Sequence, residues 1–468
     1  MSLAWRSAAL GLFGLFASTA VAQTPAIDWK TQQPEILKHY RDLVQIDTRS
    51  GHETLAVNYL KQVFDAAGIP VETFALNPAR ANLVARIKGN GKKRPLLLLA
   101  HTDVVGVQPE KWPVPPFGAV MKDGYVWGRG TADDKDKLTA NLMTMLLAKR
   151  LGVKLDRDLI FLAESGEEAD TEGVGMKFMA EQHFPAIDAE FAITEGGSTM
   201  IENGHVTQVD IATTEKVPRR ITLVATGTSG HGSVPRLDNP LIHLSQAIAK
   251  VTAWQTPMRL NDTTRSYFEK LTEIAPAGRA AEYRALFNPA TAEGAQRYLA
   301  EKEPEHYSML RTSIVPTMLK AGVGQNVIPS QAEAVFDIRA LPDENVPMLF
   351  RQIGAVIGDP AVKVVPIPNP RETAPPSRLD SEMYKTLERA AHQVYPGAAV
   401  IPMMLTGATD MSYLRPRGVQ SYGIDAPVTE NDQINYGAHS DVERLPEDSL
   451  YKLTQFIWNA ALDISASN

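Results

Sequence analysis

The sequence predicts an α/β fold, a mostly parallel sheet with helices on both faces, interrupted by an inserted ferredoxin-like α+β domain. Residues 96–100, Leu-Leu-Leu-Leu-Ala, are too uniformly apolar for a half-exposed strand and read as one buried on both faces. Strands and helices then alternate, with helical spacing at about 135–151 and 174–182 and strand-like runs at 158–163 and 190–194, the signature of a largely parallel sheet. The pattern changes near Val217. Strands at 220–225, 313–319, 332–339 and 362–367, with helices at 239–251 and 344–357, follow the β-α-β-β-α-β order of the split βαβ plan.

The chain opens on an address. Arg6 precedes an apolar segment, 8–16, and Ala20-Val21-Ala22 gives a small-x-small site, so residues 1–22 read as a signal peptide cut after Ala22, which places the mature protein in the periplasm or outside the cell. No later segment approaches membrane length, so no membrane partner is expected once the signal is removed. A net charge of −7 without a basic block argues against nucleic acid. The chain has no cysteine, so any tightly held metal must use nitrogen and oxygen ligands.

A length of 468 residues suggests two or three domains. We divide the chain into a catalytic domain in two parts, 23–216 and 371–468, and an inserted lid or dimerisation domain, 217–370. Helical spacing at 33–44 and 53–67, with Ile36, Leu37, Tyr40 and Leu43 on one face, supplies scaffold. Strand-like runs follow at 71–74 and 82–87. Within the insertion, Asn239-Pro240 is an N-cap followed by a first-turn proline, and Leu241, Leu244, Ile248 and Val251 continue as a stripe. A polar, mostly helical stretch occupies about 260–302. The proline-rich segment 368–376 reads as the return linker, after which 382–395 and 450–462 resume helical spacing.

Acids and histidines gather where strands end. His101 and Asp103 are two apart and would leave the Leu96 strand on the same side, at the edge where open α/β sheets bind ligands. Asp133 and Asp134 open a helix, Glu167 and Glu168 follow the strand at 158–163, Glu195 follows the strand at 190–194, and His439 lies in a glycine-containing loop. An acid at a helix start is favoured by about 0.3–1 kcal/mol without any ligand. Several carboxylates at one edge repel one another, however, and bound cations remove the conflict. Two histidines and several carboxylates without a thiolate match a pair of zinc ions sharing one carboxylate, and manganese or cobalt fits the same donors.

His101-x-Asp103, Gly128-Arg129-Gly130 leading to Asp133-Asp134-Lys135, Gly166-Glu167-Glu168, Thr194-Glu195-Gly196-Gly197 and His439, in this order, resemble the di-zinc exopeptidase family of carboxypeptidase G, dipeptidases, aminoacylases and carnosinases. The resemblance spans essentially the whole mature chain. It implies that His101, Asp133 and Glu195 hold one zinc and Asp133, Glu168 and His439 the other, with Asp103 orienting His101 and Glu167 as general base. It also implies a cis peptide at Asp133-Asp134, and a homodimer in which His231 reaches an active site. Asn326 and Arg339 match the family's substrate-binding pair, and Gly407 and Thr409 its loop beside the substrate carboxylate. The implied reaction is hydrolysis of an amide in a small peptide carrying a free carboxylate, by a carboxypeptidase or dipeptidase, or else of an N-acyl amino acid.

Two positions depart from the commonest pattern: Asp136 stands where many members have glycine, and Gly166 where aspartate is frequent. Trp112 with Pro115-Pro116-Phe117 resembles the branch of vacuolar-type carboxypeptidases and N-acyl amino acid hydrolases, and suggests an apolar rim. A serine hydrolase is disfavoured because Gly227-Thr228-Ser229-Gly230-His231 lacks the last glycine of the nucleophile elbow. A non-catalytic binding protein of this fold would be expected to have lost ligands, and all five are present.

Overall fold

The computed structural model describes residues 27–168, 172–369 and 371–467. The segment read as a signal peptide lies outside them. Among the described residues the large sheet has ten strands. At its centre Leu96–His101 lies parallel to Leu159–Glu164 on one side and Phe191–Thr194 on the other, and Gln420–Gly423 extends the parallel set beyond Phe191–Thr194. The flanks are antiparallel at Val71–Phe74, Asn82–Ile87 and His205–Glu215.

The leucine run is buried on both faces, and its alternation assigns each side chain to a layer. Leu96, Leu98 and Ala100 join the cluster that includes Tyr40, Leu138 and Phe456, from helices Trp29–Val44, Lys135–Arg150 and Glu447–Ser465. Leu97 and Leu99 join the opposite cluster with Phe178 and Met179 of Met176–Gln182. Each leucine so buried stabilises the fold by roughly 1.5–3 kcal/mol, which fixes the strand that ends in His101. Helix Lys135–Arg150 is buried from Lys135 through Ala148, as expected for a helix enclosed on all sides.

The second sheet has four strands in the order Ser313–Ala321, Gln331–Ala340, Val217–Thr226, Val362–Ile367, every neighbouring pair antiparallel. Helices Pro240–Ala253 and Val346–Ile357 cover one face through Leu244, Val251, Leu349 and Ile353. Asn239 caps the first of these through its side chain, which accepts from the Leu241 N–H. Ser313–Ala321 is an edge strand whose Met318 and Leu319 are exposed.

Two observations differ from the sequence reading. The helical stretch expected inside the insertion packs on the large sheet: Tyr267, Phe268 and Leu271 of Asp262–Ile274 share a cluster with Ile401, Met403 and Met404 of Ala399–Leu405. Strand His205–Glu215 was missed because Thr207, Gln208, Asp210, Thr213 and Thr214 interrupt its apolar residues. Among the described residues no helix is long and apolar enough to cross a membrane.

Candidate metal centre

The carboxyl ends of the parallel strands bring five predicted ligands together. His101 closes its strand, and its backbone pairs with Glu164 of the neighbouring strand. Glu195 follows Phe191–Thr194, and Glu167 and Glu168 follow Leu159–Glu164. Asp133 stands just before helix Lys135–Arg150, across a cis peptide to Asp134. His101 Nε2 is 2.9 Å from Asp133 Oδ1 and 3.8 Å from Glu195 Oε2. His439 Nε2 is 3.3 Å from Asp133 Oδ2 and 2.9 Å from Glu168 Oε2. The two oxygens of Asp133 thus face two separate groups, and within each group the donor atoms lie within 4.8 Å of one another.

The electrostatics match a site built for cations. Burial opposes the His101 imidazolium, but Asp103, Asp133 and Glu195 outweigh it and hold the ring well above its usual range. Hydrogen bonds to Asp133 and Glu168 push His439 up to about 10. Burial raises Asp133, yet the two imidazoles carry it far below the ordinary carboxylate range. Two nitrogen donors and three carboxylates, all hard or borderline ligands without a thiolate, fit a pair of divalent ions such as zinc, with Asp133 common to both. His439 keeps φ at +67°, a region that costs a non-glycine residue of order 1–3 kcal/mol and gathers at functional sites.

Asp103 faces His101 and also holds a neighbouring turn. His101 Nδ1 lies 3.0 Å from the Asp103 main-chain carbonyl and 3.5 Å from its carboxylate. The carboxylate also accepts from the backbone N–H groups of Gly166, Glu167 and Glu168, at 2.9, 3.2 and 3.1 Å. One residue therefore contacts the His101 imidazole and holds the Glu167-Glu168 turn. Gly166, where the family often has aspartate, sits at φ +113°, a conformation that glycine adopts without steric cost. Asp136, the other departure, is buried 3.5 Å from Lys137, which also pairs with Asp134 and Asp425. The surplus acid is compensated locally.

Glu167 is nearly enclosed. Burial, then the charges of Glu195 and Asp410, push its carboxyl well above the usual range. It lines a cavity of about 150 Å³ together with Gly166, Met176, Lys177, Arg371, Asp410 and Tyr413. Arg371 Nη2 stands 3.8 Å from Glu167 Oε1. The sequence reading passed over this arginine, since the proline-rich segment around it has no periodicity to place its side chain. It also missed Glu443, whose buried carboxylate accepts from Arg129 Nη1 at 2.6 Å and from the Ala132 N–H at 2.8 Å, tying the Gly-Arg-Gly turn to the segment after His439. An acid four residues beyond a predicted ligand was the available signal.

The remaining predicted residues lie apart from the cluster or beside it. His231 and Asn326 meet on a small two-stranded sheet, Gly230–His231 with Val327–Ile328. Both are exposed; His231 Nε2 is 3.4 Å from Asn326 Nδ2, and His231 Nδ1 is 2.7 Å from Ser233 Oγ. Arg339 pairs with Asp337 at 2.8 Å, the local partner that an arginine on a mixed strand finds first. Thr409 is buried, and its hydroxyl donates to Glu215 while its carbonyl accepts from Arg371. Gly407 is exposed in the same loop. Trp112 is not a rim residue: it is buried, with the Arg129 guanidinium 5.2 Å from its ring centroid.

The chain resembles known proteins over most of its length. It is 27% identical over 371 residues to the N-fatty-acyl-amino acid synthase/hydrolase PM20D1 of Xenopus tropicalis, covering 77% of this chain and 71% of the relative. It is 27% identical over 439 residues to a Dictyostelium discoideum protein named "probable carboxypeptidase S-like 2", covering 91% and 79%. Its fold matches the M20 family metallo-carboxypeptidase Sso-CP2 of Sulfolobus solfataricus with a TM-score of 0.64 at 19% identity, over 92% of this chain and 99% of that one. The profile of peptidase family M20/M25/M40 matches residues 97–463, a span that holds every residue of the cluster, and the chain belongs to this family of metal-dependent hydrolases.

Proposed function

We propose that the protein hydrolyses an amide bond in small substrates bearing a free carboxylate, as a carboxypeptidase or dipeptidase, with Glu167 as general base. One observation carries this reading: Asp133 presents its two oxygens to two separate histidine-carboxylate groups, with Glu167 adjoining one of them in sequence. His101, Asp133 and Glu195 would hold one divalent ion and Asp133, Glu168 and His439 the other. Such a pair, when bound, polarises a carbonyl and makes a water acidic near neutral pH.

Glu167 is not among the groups that would hold metal, so its carboxylate is free to take a proton from the attacking water and return it to the departing amine. Its enclosure suits that task, since a carboxyl held above its usual range carries a proton closer to neutral pH. Asp103 keeps the base and Glu168 in fixed relation through its three backbone hydrogen bonds. His231, Asn326 and Arg339 enter this reading as groups that the four-stranded unit, acting as a lid, or a second copy of the chain brings to the cluster. The exposed Met318 and Leu319 of the edge strand Ser313–Ala321 offer apolar surface to a second copy.

A second reading, hydrolysis of N-acyl amino acids, is supported by the relatives that act on N-fatty-acyl amino acids. Metal-loaded protein assayed on dipeptides, N-acyl amino acids and their C-terminally amidated forms tests both. Cleavage that disappears on amidation is expected. Failure to cleave any of these amides overturns the proposal.

A further inference from the structure

A cavity of about 900 Å³ opens where the helical stretch covers the large sheet, and no residue of the metal centre lines it. Its size falls in the range of small-molecule pockets, about 300–1,000 Å³. Strands Ser198–Glu202 and His205–Glu215 form one wall, and helices Asp262–Ile274 and Pro304–Met309 stand across from them. Buried Tyr267, Leu271, Met309 and Met403 give it an apolar lining. The polar groups of the helical wall are satisfied within that wall. His306 Nδ1 lies 2.6 Å from Glu303 Oε2 and its Nε2 2.9 Å from the Tyr267 hydroxyl, and the Tyr283 hydroxyl donates to Glu303 at 2.7 Å.

Asp210 is not matched in this way. It lines the cavity although it is only 4% exposed, and its carboxylate accepts from the neutral amide of Gln208, two residues along the same strand and so on the same side. Among the described residues no cationic side chain offsets its charge, and Glu305 adds to it. At the rim, exposed Glu202, Glu305 and Glu430 stand against a single arginine, Arg279. The lining therefore attracts cations. A metal ion needs several donors together, and among the described residues the acids and histidines close enough for that are the two groups of the metal centre. An organic cation satisfies both features of the cavity, because an ammonium group can pair with the buried acid while methionine and tyrosine surfaces receive its apolar body.

We propose that this cavity is a second binding site, separate from the metal centre, for a protonated primary amine with an apolar body, its ammonium group on Asp210 and its body against Tyr267, Leu271 and Met403. The site stands apart from the amide-hydrolase reading and does not depend on it.

The probes are 2-phenylethylamine and the neutral 2-phenylethanol of matched shape, titrated calorimetrically into the metal-loaded protein at pH 8, above the value of about 7 to which burial pushes Asp210. Wild type should bind the amine at least about tenfold more tightly than the alcohol, the effect of one charge-assisted contact. Asp210→Asn should bring the amine down to the affinity of the alcohol, with circular dichroism confirming the fold. Ser198→Lys tests the same contact without touching the acid. Ser198 lies directly opposite Asp210 on the neighbouring strand and also lines the cavity, so the new ammonium group reaches the carboxylate across the strands and should exclude the amine. No binding of the amine by wild type, equal affinity for amine and alcohol, or amine binding that survives either substitution overturns the site.

Discussion

Two regions carry the residues that the sequence singled out, and they differ in how those residues are satisfied. At the carboxyl edge of the large sheet, His101, Asp133, Glu168, Glu195 and His439 turn toward one another, and the hydrogen bonds they make leave like charges in close company. In the inserted unit, His231, Asn326 and Arg339 are exposed or half-buried, and each has an ordinary local partner: Ser233, His231 and Asp337. The first arrangement is one that a pair of divalent cations would fit. The second is satisfied locally as it stands, and in the proposed reading it would act only if a lid movement or a partner copy brought it to the first. The difference separates residues that the sheet has already gathered from residues that would need closure or a partner to take part in the proposed reaction.

The contrast breaks first at Asp133. If its two oxygens serve two ions, Asp133→Ala should lose both, so that metal analysis finds less than one ion per chain and hydrolysis falls below detection; a variant that keeps two ions refutes the sharing. Glu167→Gln should retain its metal while kcat falls at least about a thousandfold, within the range for removal of an acid-base group. Equal loss of metal and activity would make Glu167 a ligand instead. His231→Ala then probes the second region. If a partner copy supplies this imidazole to the reacting carbonyl, kcat should fall about 10²–10³-fold, as for loss of one oxyanion donor. Mixing His231→Ala with Glu167→Gln chains should restore part of the activity through hybrid dimers. No fall in rate would leave His231 the loop residue that its contacts with Ser233 and Asn326 describe.

The same distinction explains what could be read from the sequence. The leucine run at 96–100 placed His101 and Asp103, because a buried strand has one register and its end has one location. Glu195 followed by the same logic, as it directly continues Phe191–Thr194. The division of labour in Asp103 was not legible, since nothing in a sequence distinguishes a bond to a main-chain carbonyl from one to a carboxylate two residues away. Arg371 was hidden for a related reason: its position depends on Asn369, Pro218 and Thr409, contacts between segments remote in the chain. The inserted sheet was legible in its strand order but not in the company it keeps. The helices between 262 and 309 obey helical periodicity whichever sheet they cover, and only packing assigns them to the large one.

Asp210 sharpens the comparison from the opposite side, as an acid buried in the large sheet away from the cluster. Its carboxylate accepts two hydrogen bonds from the Gln208 amide, at 2.8 and 2.9 Å, and burial still pushes it up to about 7. Below about pH 4 it is protonated in both the folded and the unfolded chain and costs nothing. Between about pH 4 and 7 the unfolded chain releases this proton while the native one holds it, so stability falls as pH rises until the folded group also ionises. Asp210→Asn removes the titration and keeps an oxygen that accepts from Gln208. Its melting temperature should exceed that of wild type by a few degrees at pH 8 and by less at pH 5. A gain of the same size at both pH values would mean that the acid is not held protonated. A loss at pH 8 would mean that the carboxylate is matched by a charge, as the carboxylates of the metal centre are proposed to be.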